Sequence, residues 1–564
     1  MWLAGNQEHA IAAYLHPTLF IHTQQGGVFY PIFAFYSGTL FALTGALGAL
    51  LGGSTILAFE LVTLAAIAAA YGGLFWLARQ LGVKGLMAHA PAIVFVTSAY
   101  YVTDLYGKAA WAEFMAVSAL PLLLAASLRL VRGRWRAGPV ACLVAASVVF
   151  SGSHNITLLW GSALALLALA CYWLLSGRSR ELPWRRMLAV AGVIALGAGL
   201  NGWFILPALS YSHDTNISGH IVPWSATSAF NTFGVIFDPL RAVPFAAQTP
   251  ALYVQAPVLA LIWGLLALPL VWREKRLRAG VATALIVLAG LLVVIMSSSA
   301  WSLLPTPFQL AQWAHRLQTY VALACAGLVL VGALALTRRA QRGRATRSDS
   351  LLALGLGLAV AFGVALAAWQ LWVPSDHISL GGYSSYSNRA DALRNTTIPC
   401  RSPGDCSGAA GGWTVLPHSW NAGTDYGDRS LPVIPTTAEF TFDPAQVKDD
   451  RVVALASVPP GPAPFATNIV GPPNLVHVRG GVRVVGRTSS QSACPGGCWE
   501  GGSLVLQRTT DGSGPVPVEL SAQLSAPVVL GRIATGASAA LLLGWALTAA
   551  ARRRRRRFAA HPTT

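Results

Sequence analysis

The sequence predicts an α-helical polytopic membrane protein with about eleven spans, a juxtamembrane helix before them and a β-rich extracytoplasmic domain near the C-terminus. Of its 564 residues, 54% are hydrophobic and 11% are charged, which is too little charge to cover several soluble domains with a solvated surface. Apolar runs of roughly 20 residues, the length that crosses about 30 Å of hydrocarbon, recur along most of the chain.

Basic residues set the expected orientation of the spans. The formal charge of +18 is compatible with nucleic-acid binding, but Lys and Arg occur in short clusters between apolar segments, which is the positive-inside pattern. We therefore expect the lipid bilayer, and no nucleic acid, as a partner. With every cluster in the cytoplasm, the spans lie near residues 55–78, 86–100, 110–131, 138–150, 156–175, 187–207, 253–272, 280–298, 317–336, 350–373 and 527–550.

The N-terminal segment, residues 1–54, has no Lys, Arg or Asp and one Glu, so we expect it outside the membrane, with a juxtamembrane or re-entrant helix within residues 31–51. Such an external start means either that one preceding helix is missing from the sequence or that the following span translocates the N-terminus. The further predicted regions are a transmembrane domain (55–373), the β-rich domain (374–525), a final transmembrane helix (526–551) and a basic cytoplasmic tail (552–564).

In the region 374–525 the composition shifts to Pro, Gly, Ser and Thr, with short β-branched runs that are typical of strands between turns. Its four cysteines come in two close pairs, Cys400 with Cys406 and Cys494 with Cys498. Two local disulfides are the leading interpretation in an oxidising compartment, and a four-thiolate zinc site is the alternative.

Charged residues expected near the outer membrane face are few, so each is informative. The stretch from Tyr100 to Phe114 combines aromatic rings with Asp104, Lys108 and Glu113. A site for a sugar or a phosphate at the interface needs this mixture. An aromatic belt with a Lys–Glu pair is the equally weighted structural alternative.

Four segments carry a family resemblance. They are Gly27-Val-Phe-Tyr-Pro-Ile-Phe-Ala-Phe-Tyr-Ser-Gly-Thr-Leu, Thr103-Asp-Leu-Tyr-Gly-Lys-Ala-Ala-Trp-Ala-Glu-Phe, Ser153-His-Asn and Phe308-Gln-Leu-Ala-Gln-Trp-Ala-His-Arg-Leu. In this order they resemble the membrane proteins called "6-pyruvoyl-tetrahydropterin synthase-related", which are similar to GT-C glycosyltransferases. The resemblance covers roughly residues 5 to 340.

The resemblance implies a GT-C-like fold, a polyprenyl-phosphate sugar donor attacked with inversion, and a glycan or glycolipid acceptor. It also implies a carboxylate in the first external loop as general base, and the matching residue is Glu8, followed by His9. Lys108 and Arg316 are the candidates for binding phosphate. We expect Asp104, Glu113, His154 and His315 to complete the substrate site, and each has a structural role as its alternative. Some GT-C-like enzymes use a divalent cation, but the residues here establish no metal site.

These expectations favour a glycosyltransferase that builds extracytoplasmic cell-envelope glycan. A transporter or flippase of a lipid-linked glycan precursor is the alternative, although the sequence has no visible internal repeat. A scaffold without catalytic function would leave the outer-face charges unexplained. No G-x-x-x-x-G-K loop is present, which argues against an ATP-driven pump.

Overall fold

The computed structural model describes residues 2–19, 33, 37–106, 110–133, 135–177, 183–211, 231–243, 253–272, 274–311, 313–377, 440–442, 451–458, 465–470, 476–487, 503–509, 514–522 and 526–559. Its α-helices are α1 (Trp2–Tyr14), α2 (Gly38–Leu50), α3 (Thr55–Leu81), α4 (Ala90–Val96), α5 (Ala99–Tyr106), α6 (Trp111–Arg132), α7 (Ala137–Ser153), α8 (Asn155–Ser176), α9 (Trp184–Gly199), α10 (Gly202–Tyr211), α11 (Phe233–Phe237), α12 (Val258–Leu266), α13 (Leu268–Val271), α14 (Lys275–Met296), α15 (Ser298–Ser302), α16 (Thr306–Gln309), α17 (Gln318–Gln341), α18 (Arg347–His377) and α19 (Ala526–Ala559). Two 3₁₀ turns, Gly85–Ala88 and Ala314–Leu317, precede α4 and α17.

Seven helices in the described part are long and apolar enough to cross a membrane: α3, α6, α8, α14, α17 with its preceding 3₁₀ turn, α18 and α19. Two further helix pairs qualify if each is one broken span, which raises the number to nine: α4 with α5, and α9 with α10. The prediction of a helical membrane protein is therefore confirmed.

Seven to nine candidate spans are fewer than the predicted eleven, and the difference lies in short or broken helices. The predicted span 138–150 corresponds to α7, which has 17 residues. The predicted span 253–272 breaks at Ala267 into α12 and α13, with Pro269 in the first turn of α13, where its ring and its missing N–H interrupt helical hydrogen bonding. The predicted span 86–100 breaks between α4 and α5, which meet at an angle of 50°.

The contacts divide the chain into two compact units. Unit 1 comprises Met1–Val62, Leu200–His220 and Leu380–Ala537, and unit 2 comprises Thr63–Gly199, Ile221–Ser379 and Ser538–Thr564.

In unit 2, α3 and α6 run parallel along a close seam. Trp111 donates a hydrogen bond of 2.9 Å from Nε1 to Oγ1 of Thr63 near the start of both helices. Further along, Gln80 donates from Nε2 to the carbonyl of Ala125, also at 2.9 Å. Between these two contacts, Gly73 lies against the backbone of α6, since small residues let helix backbones approach. Because the two helices are parallel, the chain must run back from the end of α3 to the start of α6. Helices α4 and α5 make this connection.

Helices α14 and α17 of unit 2 run antiparallel, and ion pairs join the start of one to the end of the other. The carboxylate of Glu274, just before α14, lies 2.5 Å from Nη1 of Arg338 and 2.7 Å from Nη1 of Arg342. Burial raises the pKa of Glu274, but the hydrogen bonds and positive charges of the two arginines outweigh it, so the pKa lies below its ordinary value. Arg338 and Arg342 belong to one of the short basic clusters between apolar segments, and these ion pairs hold both residues in the fold.

Unit 1 packs its helices through close backbone contacts. Trp203 of α10 donates from Nε1 to Oγ1 of Thr39 at 3.1 Å, and its backbone N–H donates to Oγ1 of Thr535 at 2.9 Å. A Cβ atom on Gly531 of α19 would lie 2.5 Å from the carbonyl oxygen of Gly202. Only glycine allows this approach of α19 to α10.

Within the described part of unit 1, seven strands form two antiparallel sheets. They are β1 (Phe440–Phe442), β2 (Arg451–Val458), β3 (Phe465–Val470), β4 (Val476–Arg479), β5 (Val482–Arg487), β6 (Ser503–Arg508) and β7 (Gly514–Ala522). The sheet orders are β1-β2-β7-β4 and β3-β6-β5. Gly480 and Gly481, with φ of 106° and 62°, turn the chain from the first sheet to the second, a conformation that glycine adopts without strain.

Candidate functional site

Glu113 and Arg316 form a buried ion pair in unit 2. Nε of Arg316 lies 3.4 Å from Oε2 of Glu113, and the two side chains are 14% and 5% exposed. Tyr100 donates a hydrogen bond of 3.1 Å to Oε1 of Glu113, while Oε2 faces the guanidinium at ion-pair distance. Removing a pair of charges from water is costly, so the presence of this pair among apolar spans marks a candidate functional site.

Local structure explains the position of both charges. Glu113 lies in the first turn of α6, where the positive end of the helix dipole favours a carboxylate. Arg316 lies in the 3₁₀ turn that leads into α17. Its guanidinium carbon is 4.7 Å from the centroid of the Trp313 ring, a cation–π contact that helps to fix the orientation of the guanidinium.

Aromatic rings surround the neighbouring imidazole of His315, which is fully buried. Trp313 stacks on His315, with ring centroids 5.9 Å apart and 17° between the ring planes. Tyr100 meets the same imidazole edge-on, with centroids 6.0 Å apart. Tyr100 therefore links His315 to Glu113 by contacting both.

Asp104 and Tyr320 complete the group. Asp104 is 2% exposed, and its carboxylate, like that of Glu113, lies in the neighbourhood of the Tyr100 and Tyr320 hydroxyls. Tyr320 donates a hydrogen bond of 3.1 Å to the carbonyl of Thr157. The buried polar cluster, as we call it, consists of Tyr100, Asp104, Glu113, His315, Arg316 and Tyr320.

His154 has a structural contact in unit 2. It is the N-cap of α8, where Nδ1 accepts a hydrogen bond of 3.3 Å from the backbone N–H of Thr157. The hydroxyl of Thr157 also lies 2.7 Å from the same nitrogen. These contacts satisfy an N–H at the start of α8, which is the structural role that the sequence left open for His154.

Glu8 belongs to unit 1 and lies in α1, a helix rather than the loop that the resemblance implied. Its Oε2 accepts a hydrogen bond from the hydroxyl of Thr55, the first residue of α3. The neighbouring Gln7 holds α1 in place because its amide donates to the carbonyl of Thr18 and accepts from the Thr18 N–H, at 2.7 and 3.1 Å. The carboxylate therefore lies at a helix N-terminus, where backbone N–H groups favour negative charge.

Glycines of α2 make room for Glu8. A Cβ atom on Gly45 would lie 2.5 Å from the backbone nitrogen of Glu8, and one on Gly48 would lie 2.6 Å from its Oε2. Helix α1 therefore packs directly on the backbone of α2 at this point. Glycine at position 48 and the hydroxyl of Thr55 together define where the carboxylate rests.

Several predicted site residues lie outside what the structure describes. Lys108 is outside the described residues, as are the four predicted disulfide cysteines, Cys400, Cys406, Cys494 and Cys498. His9 belongs to α1, but its side chain is not described. Within the described ranges, no group of three His, Cys, Asp or Glu side chains could hold a metal ion.

No family model, curated protein or solved structure matches this chain.

Arg316 is the cation of the buried polar cluster and its candidate for contacting an anion. A guanidinium has five N–H donors, and the ion pair with Glu113 runs through Nε of Arg316, so the Nη groups are the candidate donors for phosphate oxygens. Sequence reasoning missed Tyr100, Tyr320 and Thr55 as site residues. Tyr100 precedes Asp104 by one helical turn, which places both on one face of α5, and this spacing is the signal that could have identified Tyr100.

Proposed function

We propose that this membrane protein is an inverting glycosyltransferase with a GT-C-like fold, as its resemblance to the "6-pyruvoyl-tetrahydropterin synthase-related" proteins implies. It takes a sugar from a polyprenyl-phosphate donor and transfers it to a glycan or glycolipid of the cell envelope. The observation that carries this proposal is the buried pair of Glu113 and Arg316. Ionisable groups among apolar spans are expensive to keep, and they most often serve function.

The reaction needs a base, and Glu8 is our candidate. The acceptor hydroxyl oxygen forms a bond to the anomeric carbon while the bond from that carbon to the phosphate oxygen breaks. The leaving lipid phosphate keeps the electron pair, and the carboxylate takes the hydroxyl proton. Its hydrogen bond to Thr55 supports this role, because it orients the carboxylate without adding a competing positive charge.

The leaving group needs positive charge, and Arg316 and Lys108 are our candidates. As negative charge grows on the phosphate oxygen, a guanidinium already held in place stabilises it without reorganising. The stacking of Arg316 on Trp313 supports the proposal by fixing the guanidinium. In the same proposal the basic clusters face the cytoplasm, and the strands of region 374–525 form an extracytoplasmic module that guides the acceptor.

A flippase for a lipid-linked precursor is the second candidate, and broken spans favour it. Transporters place their substrate sites at interrupted helices, and α4 and α5 meet at such an interruption. Only a transferase changes the covalent state of its lipid, which separates the two candidates.

The test is to incubate the purified protein with radiolabelled polyprenyl-phosphate sugars and with an acceptor panel, and to measure both transfer and translocation in vesicles. Transfer by wild type supports the transferase, and we expect it to be lost in Arg316→Met. Translocation of intact donor without transfer would replace it with the flippase.

A further inference from the structure

Gln318, the first residue of α17, has a buried side-chain amide. The side chain is 1% exposed, and neither Oε1 nor Nε2 has a hydrogen-bond partner among the described residues. Burying such an amide sacrifices its hydrogen bonds to water and gains nothing in return. Such an amide is open to a ligand where it adjoins a candidate binding site.

The position of Gln318 places it beside the buried polar cluster. It follows His315 by three residues, across the junction of the 3₁₀ turn and α17. Side chains three residues apart in a 3₁₀ turn lie above one another, so Gln318 shares a helix face with His315. That imidazole packs against Tyr100 and Trp313.

The chemistry of this neighbourhood fits one class of ligand. An amide offers donors and an acceptor together, which is what a hydroxyl needs because it also donates and accepts. The aromatic rings around His315 add apolar surface. A neutral hydroxyl can form hydrogen bonds with the Gln318 amide without carrying a charge. We infer that Gln318 binds hydroxyl groups of the transferred sugar, and that this contact makes the protein select sugar-bearing lipid phosphate over bare lipid phosphate. The inference rests on the proposed function, whose donor it specifies further.

The test measures binding to the full-length protein in lipid nanodiscs. The probes are undecaprenyl-phosphate monosaccharides, both pentose and hexose, and undecaprenyl phosphate without sugar. The variants are Gln318→Met, which removes the amide at nearly constant length, and the matched control Gln370→Met. Gln370 is also buried, at 3% exposure, and its amide also has no partner within the described part of the chain, but it lies in α18 and outside the buried polar cluster.

We expect Gln318→Met to weaken binding of the best sugar-bearing probe about tenfold to a hundredfold, because the sugar hydroxyls then have no partner. Binding of undecaprenyl phosphate should change less than twofold. The control Gln370→Met should leave both affinities unchanged. Since Gln318 has no hydrogen-bond partner to lose among the described residues, the variant should also keep the melting temperature of wild type or exceed it.

Unchanged affinity for the sugar-bearing probe in Gln318→Met would overturn the inference. An equal loss of affinity for both kinds of probe would also overturn it, because Gln318 would then contact the phosphate. A lowered melting temperature would overturn it by showing that Gln318 stabilises the fold. If wild type binds neither the sugar-bearing lipid phosphates nor undecaprenyl phosphate, the proposed function itself fails. That result is distinguishable from failure of the inference because it is seen in wild type alone.

Discussion

The seam between α3 and α6 makes two adjacent glycines respond oppositely to the same substitution. A Cβ atom on Gly73 would lie 2.4 Å from the backbone nitrogen of Leu122 and 2.6 Å from the carbonyl carbon of Pro121. A Cβ atom on Gly72 would meet nothing within 4 Å. Backbone atoms cannot rotate away, so Gly73→Ala must push the helices apart by about 1 Å to restore a contact of about 3.5 Å.

Overpacking of this kind costs about 1–3 kcal/mol, and we expect about 3 kcal/mol for Gly73→Ala because both contacted atoms belong to the backbone. Gly72→Ala should instead stabilise the helix by about 0.5–1 kcal/mol through its better helix propensity. Thermal and denaturant unfolding of the purified protein in detergent micelles measure both changes. Equal effects of the two substitutions would refute the packing of α3 on α6.

Three further predictions concern ionisable and polar groups. Arg316→Met should destabilise the protein by about 3 kcal/mol because it leaves the Glu113 carboxylate buried without its cation. Adding Glu113→Gln should recover part of that loss, and additive losses in a double-mutant cycle would contradict the pairing. Glu274→Gln should lower the melting temperature at pH 7, where its two ion pairs stabilise the fold by about 1 kcal/mol. Because the folded pKa is lowered, this stabilisation is present above the unfolded pKa of about 4.3 and is lost as the pH falls through the folded pKa; a difference that stays constant down to pH 2 would contradict the lowered pKa. Thr55→Val should reduce sugar transfer about tenfold by releasing the Glu8 carboxylate, and Thr55→Ser should retain activity, so equal losses in both variants would refute the hydrogen bond.

The long spans could be predicted because hydrophobic length is a local property. Runs such as those of α3 and α14 are long enough to cross a bilayer without reference to any neighbour. The breaks were less visible, since an apolar composition continues through the interruption at Ala267. At Thr97 and Ser98, between α4 and α5, the hydroxyls donate to the carbonyls of Ile93 and Phe95, a local competition with helical bonding that apolar windows do not register.

The candidate site was predictable in its members more than in its contacts. Glu113 and Arg316 were identifiable because charges near spans are rare, but their pairing depends on bringing α6 to the start of α17. Tyr100 was not identified as a site residue, because an aromatic belt was an equally good explanation for the rings of this stretch. The contact of Glu8 with Thr55 depends on the close approach of α1 to Gly48. This approach is a result of helix packing, so it could not be predicted from the sequence.

The most direct test of the proposed function is sugar transfer by purified Glu8→Gln, compared with wild type and with the control Glu60→Gln. Glu60 is an exposed carboxylate on α3, so its variant makes the same chemical change away from Thr55. With radiolabelled polyprenyl-phosphate sugars as donors, we predict at least about a hundredfold lower transfer for Glu8→Gln and wild-type transfer for Glu60→Gln. Transfer by Glu8→Gln at the wild-type rate would contradict the assignment of Glu8 as the general base.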